Sequence, residues 1–104
     1  MARRVDSAYG SRMNAVSTLK AEDDLFRVWE WRIPPGGSTE WHTHEYAYTV
    51  VPLVDGLMKI DTPDGWVEFP LTAGEPYCRP AGVSHDVHNG GDTDIVFIEV
   101  ERKG

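Results

Sequence analysis

The amino-acid sequence predicts an all-β fold, and three observations support that prediction. Several short stretches alternate apolar and polar side chains with the two-residue period of a β-strand. Turn-forming residues, chiefly proline, glycine, asparagine and aspartate, separate these stretches at close intervals. Long helical periodicity is missing throughout. Short strands joined by closely spaced turns are typical of an all-β sandwich or barrel.

Length, charge and cysteine content narrow the class of protein. The 104 residues, 40% of them hydrophobic, suffice for one domain with a core. The formal net charge of −7 provides no basic surface for nucleic acid or an anionic membrane, and no apolar run approaches membrane-spanning length. Cys78 is the single cysteine, which excludes an internal disulfide and favours a reducing, cytoplasmic location.

The predicted strands begin after a weakly patterned N-terminal segment. Residues 1–24 are expected to form an N-terminal arm, and residues 25–104 the β-barrel domain. The first regular strand is predicted over 25–33, where Trp29 and Trp31 alternate with largely polar neighbours. The aromatic face of this strand is expected to point into the core.

Further strands are predicted from alternation and from the turns between them. Pro52 cannot donate a hydrogen bond to a sheet, so it is expected at an edge or a bulge. Residues 62–65 form a predicted turn, because proline presets φ and glycine accepts a positive φ. The strands are expected at 46–54, 57–61, 66–69 and 94–100.

The four histidines of the chain lie in two stretches that follow proline and glycine turns. His42 and His44 are two residues apart, so in an extended strand both imidazoles face the same spot. His85 follows a second turn at 80–82, where proline and glycine suit a type I turn. His88 is out of strand phase with His85, which predicts a surface position or a supporting position behind the ligands. This clustering is the main functional signal in the sequence.

These stretches resemble the two motifs of the cupin superfamily, G-x5-H-x-H-x3,4-E-x6-G and G-x5-P-x-G-x2-H-x3-N. The matching residues are Gly36, His42, His44 and Gly56 in the first motif, and Gly74, Pro80, Gly82, His85 and Asn89 in the second. The glutamate of the first motif is absent, since Tyr48 and Thr49 stand at the two permitted spacings. The resemblance covers about residues 25–101 and is greatest to the small single-domain bacterial cupins associated with β-alanine degradation.

The resemblance implies an RmlC-like jelly-roll barrel, or double-stranded β-helix, with a metal in its mouth. His42, His44 and His85 occupy the ligand positions of the family, and the carboxylate ligand is missing. Tyr48, Thr49 or water are the candidates to replace it. Glu45 alternates out of phase with the paired histidines and is expected to face away.

Three neutral imidazoles bind a divalent transition metal and leave positions open for water or substrate. Fe, Zn, Ni and Cu all accept imidazole, so the residues do not choose among them, whereas Ca and Mg prefer oxygen ligands. The alternative is a barrel whose histidines only form hydrogen bonds. That alternative is less favoured, because three inward imidazoles without a metal need three sets of polar partners.

Two more residues are candidates for catalysis or ligand binding. Tyr48 offers a phenol as proton donor or weak metal ligand, with an aromatic core position as the alternative. Arg79 precedes the second turn, and its planar guanidinium suits a substrate carboxylate if it faces inward. The alternative for Arg79 is a surface position paired with an acidic residue.

Three functions remain open on this evidence. The first is a mononuclear metal enzyme of the dioxygenase, isomerase or lyase type, acting on a small polar or carboxylate metabolite. The second is a non-catalytic cupin that binds a small ligand or a metal as a sensor or accessory protein, and the third is a metal-free epimerase-type cupin. A small anionic ligand is expected in the first two. A homodimer is expected from the resemblance and from aromatic strands whose edges need cover.

Overall fold

The computed structural model describes residues 14–104, which form nine β-strands and no helix. The strands are β1 (Val16–Glu22), β2 (Phe26–Ile33), β3 (His42–Thr43), β4 (Ala47–Pro52), β5 (Gly56–Thr62), β6 (Gly65–Leu71), β7 (Tyr77–Arg79), β8 (Ser84–Asn89) and β9 (Ile95–Arg102). Within this part of the chain, no helix is long and apolar enough to cross a membrane.

The strands form two antiparallel sheets that enclose one core. The five-stranded sheet has the order β1-β2-β9-β4-β7, and the four-stranded sheet has the order β3-β8-β5-β6. Buried side chains from both sheets meet between them, such as Phe97 from β9 and Met58 from β5. The prediction of an all-β jelly-roll barrel is confirmed.

The aromatic face of β2 points into this core, as its alternation predicts. Trp31 and Ile33 are 2% and 0% exposed. Trp31 lies opposite Phe97 on β9, and their rings stack with centroids 6.4 Å apart. Burial of these large side chains joins β2 to β9, the central strand of the five-stranded sheet.

Strand β1 belongs to the segment that the sequence analysis assigned to the N-terminal arm. It pairs with β2 from Val16 opposite Arg32 to Glu22 opposite Arg27, with a bulge between Leu19 and Ala21. Most of its side chains are exposed, because an edge strand contributes backbone hydrogen bonds without burying an apolar face. Its sequence therefore lacks the alternation that marks the other strands. The first half of the predicted arm, 1–13, lies outside the described residues.

Pro52 is the last residue of β4, beyond the short stretch that pairs with β7. At that point β4 has only β9 as a neighbour, so the missing N–H of proline leaves no sheet hydrogen bond unmade.

The turn between β8 and β9 is closed by the side chain of Asn89. Its Nδ2 donates to the carbonyl oxygens of Ile33 and Thr93, at 2.9 and 2.7 Å. Its Oδ1 accepts from the backbone N–H of Gly91 at 2.8 Å. The motif asparagine thus ties three backbone groups together at the end of the strand that carries His85.

Candidate metal centre

Backbone hydrogen bonds bring the two histidine stretches together. His42 in β3 lies directly opposite His85 in β8. The N–H of His44 donates to the carbonyl of Val83 at 2.9 Å, and the N–H of Gly82 donates to the carbonyl of His44 at 2.8 Å. Gly82 has φ of 93°, a conformation that glycine adopts without strain. The second turn therefore delivers His85 beside the histidine pair, as predicted.

The three imidazoles converge through their Nε2 atoms. His42 Nε2 and His44 Nε2 are 3.0 Å apart, and His44 Nε2 and His85 Nε2 are 3.2 Å apart. All three side chains are buried. Ligand nitrogens bound to one metal at about 2.1 Å are about 3.0 Å apart at right angles and about 3.4 Å apart at the tetrahedral angle. The observed separations fit this range, so the three nitrogens can share one ion.

The proton on His42 is located by its partner. His42 Nδ1 lies 2.8 Å from the carbonyl oxygen of Glu40, which only accepts hydrogen bonds. Nδ1 of the neutral ring therefore carries the proton, and Nε2 presents its lone pair to the other histidines. Glu40 has φ of 68°, an uncommon conformation for a residue with a side chain. That strained conformation occurs at the residue whose carbonyl orients the His42 ring.

Burial keeps the three rings neutral. Loss of solvation and the two neighbouring histidines lower the pKa of His44 to about 3. Loss of solvation, followed by the neighbouring His42 and Arg79, lowers the pKa of His85 to about 4, and burial also lowers the pKa of His42. Neutral imidazole is the form that binds metals, so the site is suited to a cation at neutral pH.

Glu99 is a functional candidate that the sequence analysis missed. It lies on β9, it is 2% exposed, and its Oε1 accepts from Trp31 Nε1–H at 2.7 Å. Its Oε2 lies 3.4 Å from His44 Nδ1, on the side of that ring away from the other histidines. Burial raises the pKa of Glu99 to about 7, and the bond from Trp31 opposes that rise.

A second buried glutamate, Glu101, lies two residues further along β9. Its Oε1 accepts from Trp29 Nε1–H at 2.6 Å and from Arg27 Nε at 2.9 Å. Ligand atoms of His44, Glu99 and Glu101 lie within 4.8 Å of one another. Glu101 is paired with Arg27, whereas Glu99 has an oxygen beside His44.

Tyr48 takes the inward place that the motif glutamate would have. It is 6% exposed, and its ring stacks on His44 with centroids 4.0 Å apart. Thr49 faces the other side of β4, where its Oγ1 lies 3.2 Å from Sγ of the exposed Cys78. Glu45 is exposed. Burial raises the pKa of Tyr48 above its usual value, so its phenol stays protonated at neutral pH.

Arg79 lies on β7 directly opposite Tyr48 and lines the same cavity as the histidines. It is exposed, and its positive charge lowers the pKa of both His44 and His85. Among residues 14–104 it forms no ion pair with a carboxylate. Its guanidinium lies close enough to the Tyr48 hydroxyl to oppose the rise in the pKa of that phenol, and no carboxylate neutralises its charge, so it can attract an anion to the cavity mouth.

The cavity in front of the histidines is small. It has a volume of about 50 Å³, and a neighbouring cavity of about 330 Å³ shares His85 and Arg79 with it. Besides the histidines, Tyr48 and Arg79, its lining is largely apolar and includes Met58, Phe69 and Phe97. A ligand with only a few non-hydrogen atoms fits such a space.

His88 lies on the other face of β8 from His85. Its Nε2 is 3.1 Å from Asp86 Oδ2, and its ring packs on Trp66 with centroids 5.0 Å apart. It takes no part in the histidine cluster of the described residues.

Comparison with known proteins identifies relatives of the whole barrel. Residues 29–101 match the sequence profile of the cupin domain. The β-alanine degradation protein BauB of Pseudomonas aeruginosa is 44% identical over 92 residues, which cover 88% of this chain and 97% of that protein. The oxalate-binding protein of Thermotoga maritima is 31% identical over 71 residues, which cover 66% of this chain and 55% of that protein.

A solved structure shows the same architecture. The crystal structure of a cupin domain from Bordetella pertussis Tohama I has a TM-score of 0.85 and 41% identity, and the match covers 100% of this chain and 99% of that one. The similarity to BauB confirms the resemblance to cupins associated with β-alanine degradation that the motifs indicated.

Proposed function

This chain belongs to the cupin family, and from that premise we propose that His42, His44 and His85 hold one divalent transition metal, Fe, Zn, Ni or Cu. The observation that carries the proposal is the convergence of three neutral imidazoles, with Nε2 separations of 3.0 and 3.2 Å. When bound, such an ion supplies a Lewis acid that polarises a ligand oxygen or activates water. Three imidazoles would not complete the coordination of such an ion, so they would leave positions for water or a ligand.

We further propose that the ligand at these positions is a small carboxylate. Arg79 offers a guanidinium without a carboxylate partner in the described part of the chain, and it lies opposite Tyr48 at the same cavity. The cavity of about 50 Å³ beside the histidines accommodates a small carboxylate. Two relatives are named for oxalate binding and for β-alanine degradation, and both compounds are small carboxylates.

The chemistry favoured for this site is conversion of that carboxylate by a mononuclear metal enzyme. Tyr48 is a buried, protonated phenol beside His44, so its hydroxyl can donate a hydrogen bond to a bound ligand. Metal-free catalysis with a histidine base is disfavoured, because His44 and His85 have pKa values near 3 and 4 and are weak bases. The second candidate is a non-catalytic carboxylate-binding cupin, which the name of the Thermotoga maritima relative favours.

The binding test compares three proteins by calorimetric titration with oxalate and other carboxylates of similar size. We expect saturable binding to the zinc-loaded wild type and loss of binding when zinc is removed. Arg79→Ala should weaken carboxylate binding by about 10- to 100-fold, the worth of a charge-assisted bidentate contact, while zinc stays bound. Arg32→Ala is the matched control, since Arg32 pairs with Asp94 on the surface. Equal affinities for the two arginine variants would contradict the assigned ligand site.

A second measurement separates the enzyme from the binding protein. The carboxylates that bind are incubated with protein loaded with each of the four metals, in air, and are followed by NMR spectroscopy. Conversion by the wild type, with loss of the reaction but not of binding in Tyr48→Phe, supports the enzyme. Carboxylates that bind and remain intact with every metal support the non-catalytic cupin.

We also propose a cytoplasmic location and a homodimeric assembly. Cys78 is the only cysteine, and a chain without a disulfide suits a reducing compartment. The net charge of −7 gives no support for nucleic acid or an anionic membrane as partner.

A further inference from the structure

We propose that Glu99 is a positioning residue of the metal site, which fixes the tautomer and the orientation of the His44 ring. In this arrangement His44 Nδ1–H donates to Glu99, and His44 Nε2 keeps its lone pair for the metal. The inference rests on the proposed function, because it concerns how one of the three ligands is prepared. No motif in the sequence assigns this role to Glu99.

The contacts of Glu99 support this role. Trp31 Nε1–H occupies Oε1 at 2.7 Å and holds the carboxylate in place, and Oε2 is then directed at His44 Nδ1 at 3.4 Å. His44 Nδ1 is buried and makes no hydrogen bond with any other group in residues 14–104. The separation is slightly longer than the usual upper limit of about 3.2 Å for N–H···O, so a small rotation of the ring completes the bond.

The other paired histidine shows the same arrangement. His42 has an acceptor behind Nδ1, the carbonyl oxygen of Glu40 at 2.8 Å. A carbonyl only accepts hydrogen bonds, and so does the Glu99 carboxylate in its ionised form, which then requires a proton on the Nδ1 that it faces. Glu40 and Glu99 therefore select the same tautomer in neighbouring rings. Both Nε2 lone pairs then point at one spot, 3.0 Å apart, and a bound cation would relieve their mutual repulsion.

Glu99 also supplies a carboxylate near the histidines, although the glutamate of the first motif is absent. The sequence-based expectation is a site without a carboxylate, and the structure contains one behind His44 rather than beside the metal. A carboxylate in that position increases the basicity of the imidazole and offsets positive charge without occupying a coordination position. The site therefore keeps more open positions than a set of three histidines and one glutamate would leave.

The test is the variant Glu99→Gln, with Glu101→Gln as the matched control. Glutamine has one acceptor oxygen, so an amide that satisfies Trp31 turns its NH2 group toward His44 Nδ1. That contact favours the Nε2–H tautomer, which has no lone pair for the metal. We expect zinc affinity to fall by about 10- to 100-fold, as for other partners of metal-bound histidines. Glu101 is an equally buried glutamate on the same strand, bonded to Trp29, and its variant should keep zinc affinity.

Long-range 1H–15N spectra of the labelled histidines give a second readout, since they report the tautomer directly. In the zinc-loaded wild type, His44 should carry its proton on Nδ1 and bind zinc through Nε2. If the wild type binds zinc and Glu99→Gln binds it equally tightly with the same His44 tautomer, the role of Glu99 is refuted and the proposed function stands. If the wild type binds no transition metal, the proposed function fails and this inference fails with it. Should Glu99→Gln not fold, the wild-type spectrum decides, and His44 bound through Nδ1 would refute the proposal.

Discussion

The ring of His44 is held from three directions. Tyr48 stacks on its face, Glu99 lies behind Nδ1, and Nε2 meets the nitrogens of His42 and His85. A ring with one face stacked on Tyr48 and its Nε2 beside two other imidazoles has restricted freedom to turn. Little rotational entropy is then lost when it binds a metal, which is the advantage of a prearranged ligand.

His85 and His88 lie on opposite faces of β8, so their replacement should affect zinc binding differently. His85→Ala should weaken zinc binding by more than about 100-fold, because a direct ligand contributes more than the 10- to 100-fold of a supporting partner. His88→Ala should bind zinc like the wild type, since His88 faces Asp86 and Trp66 instead. Isothermal titration with zinc compares the two variants. Full zinc affinity in His85→Ala would exclude this histidine as a ligand.

The convergence of the histidines could be predicted from the sequence, and the position of Glu99 behind His44 could not. Strand alternation places His42 and His44 on one face without knowledge of the fold. Glu99 has the same strand phase as Ile95 and Phe97 on β9, whose side chains are buried. That alternation was the feature of the sequence that could have indicated an inward Glu99. A charged residue in a strand is normally expected to face solvent, and the partner that holds Glu99, Trp31, is 68 residues away in the chain.

Alternation of apolar and polar residues predicts the strands that bury one face, and it does not predict β1, whose side chains are mostly exposed. Strand β2 shows a clear pattern because Trp31 and Ile33 enter the core. Strand β1 pairs along its length at the sheet edge with mostly exposed side chains, so no pattern marks it. The motif spacing likewise permits either Tyr48 or Thr49 at the position of the missing glutamate. Only the structure of β4 shows that Tyr48 is the one that faces the site.

The turn between β8 and β9 gives an element-scale prediction. Asn89→Ala removes two hydrogen bonds to carbonyl oxygens and one to a backbone N–H, and should lower the free energy of unfolding by about 2–3 kcal/mol. Asp92→Ala, at an exposed position of the same turn, should change it by less than about 0.5 kcal/mol. Urea denaturation of both variants checks the difference. Similar stabilities would show that Asn89 does not hold this turn.

In the whole molecule, each sheet has one long edge strand with exposed apolar residues, β1 in one sheet and β6 in the other. Trp66 and Val67 on β6 are 61% and 50% exposed, and Leu19 on β1 is 47% exposed. Open edges with apolar side chains invite pairing with another chain, and a symmetric dimer is the commonest way to cover them. We therefore expect light scattering at micromolar concentration to give twice the 11.7 kDa mass of the chain. A monomer at that concentration would remove the prediction.

The metal content of the purified protein decides whether this barrel is a metal protein. The chain should be produced without a nickel column, and its metals measured by inductively coupled plasma mass spectrometry. We predict about one Fe, Zn, Ni or Cu ion per chain, retained through gel filtration, because three buried neutral imidazoles form a complete ligand face. A protein that contains none of these metals, and takes up none when each is supplied, would show that His42, His44 and His85 do not form a metal site.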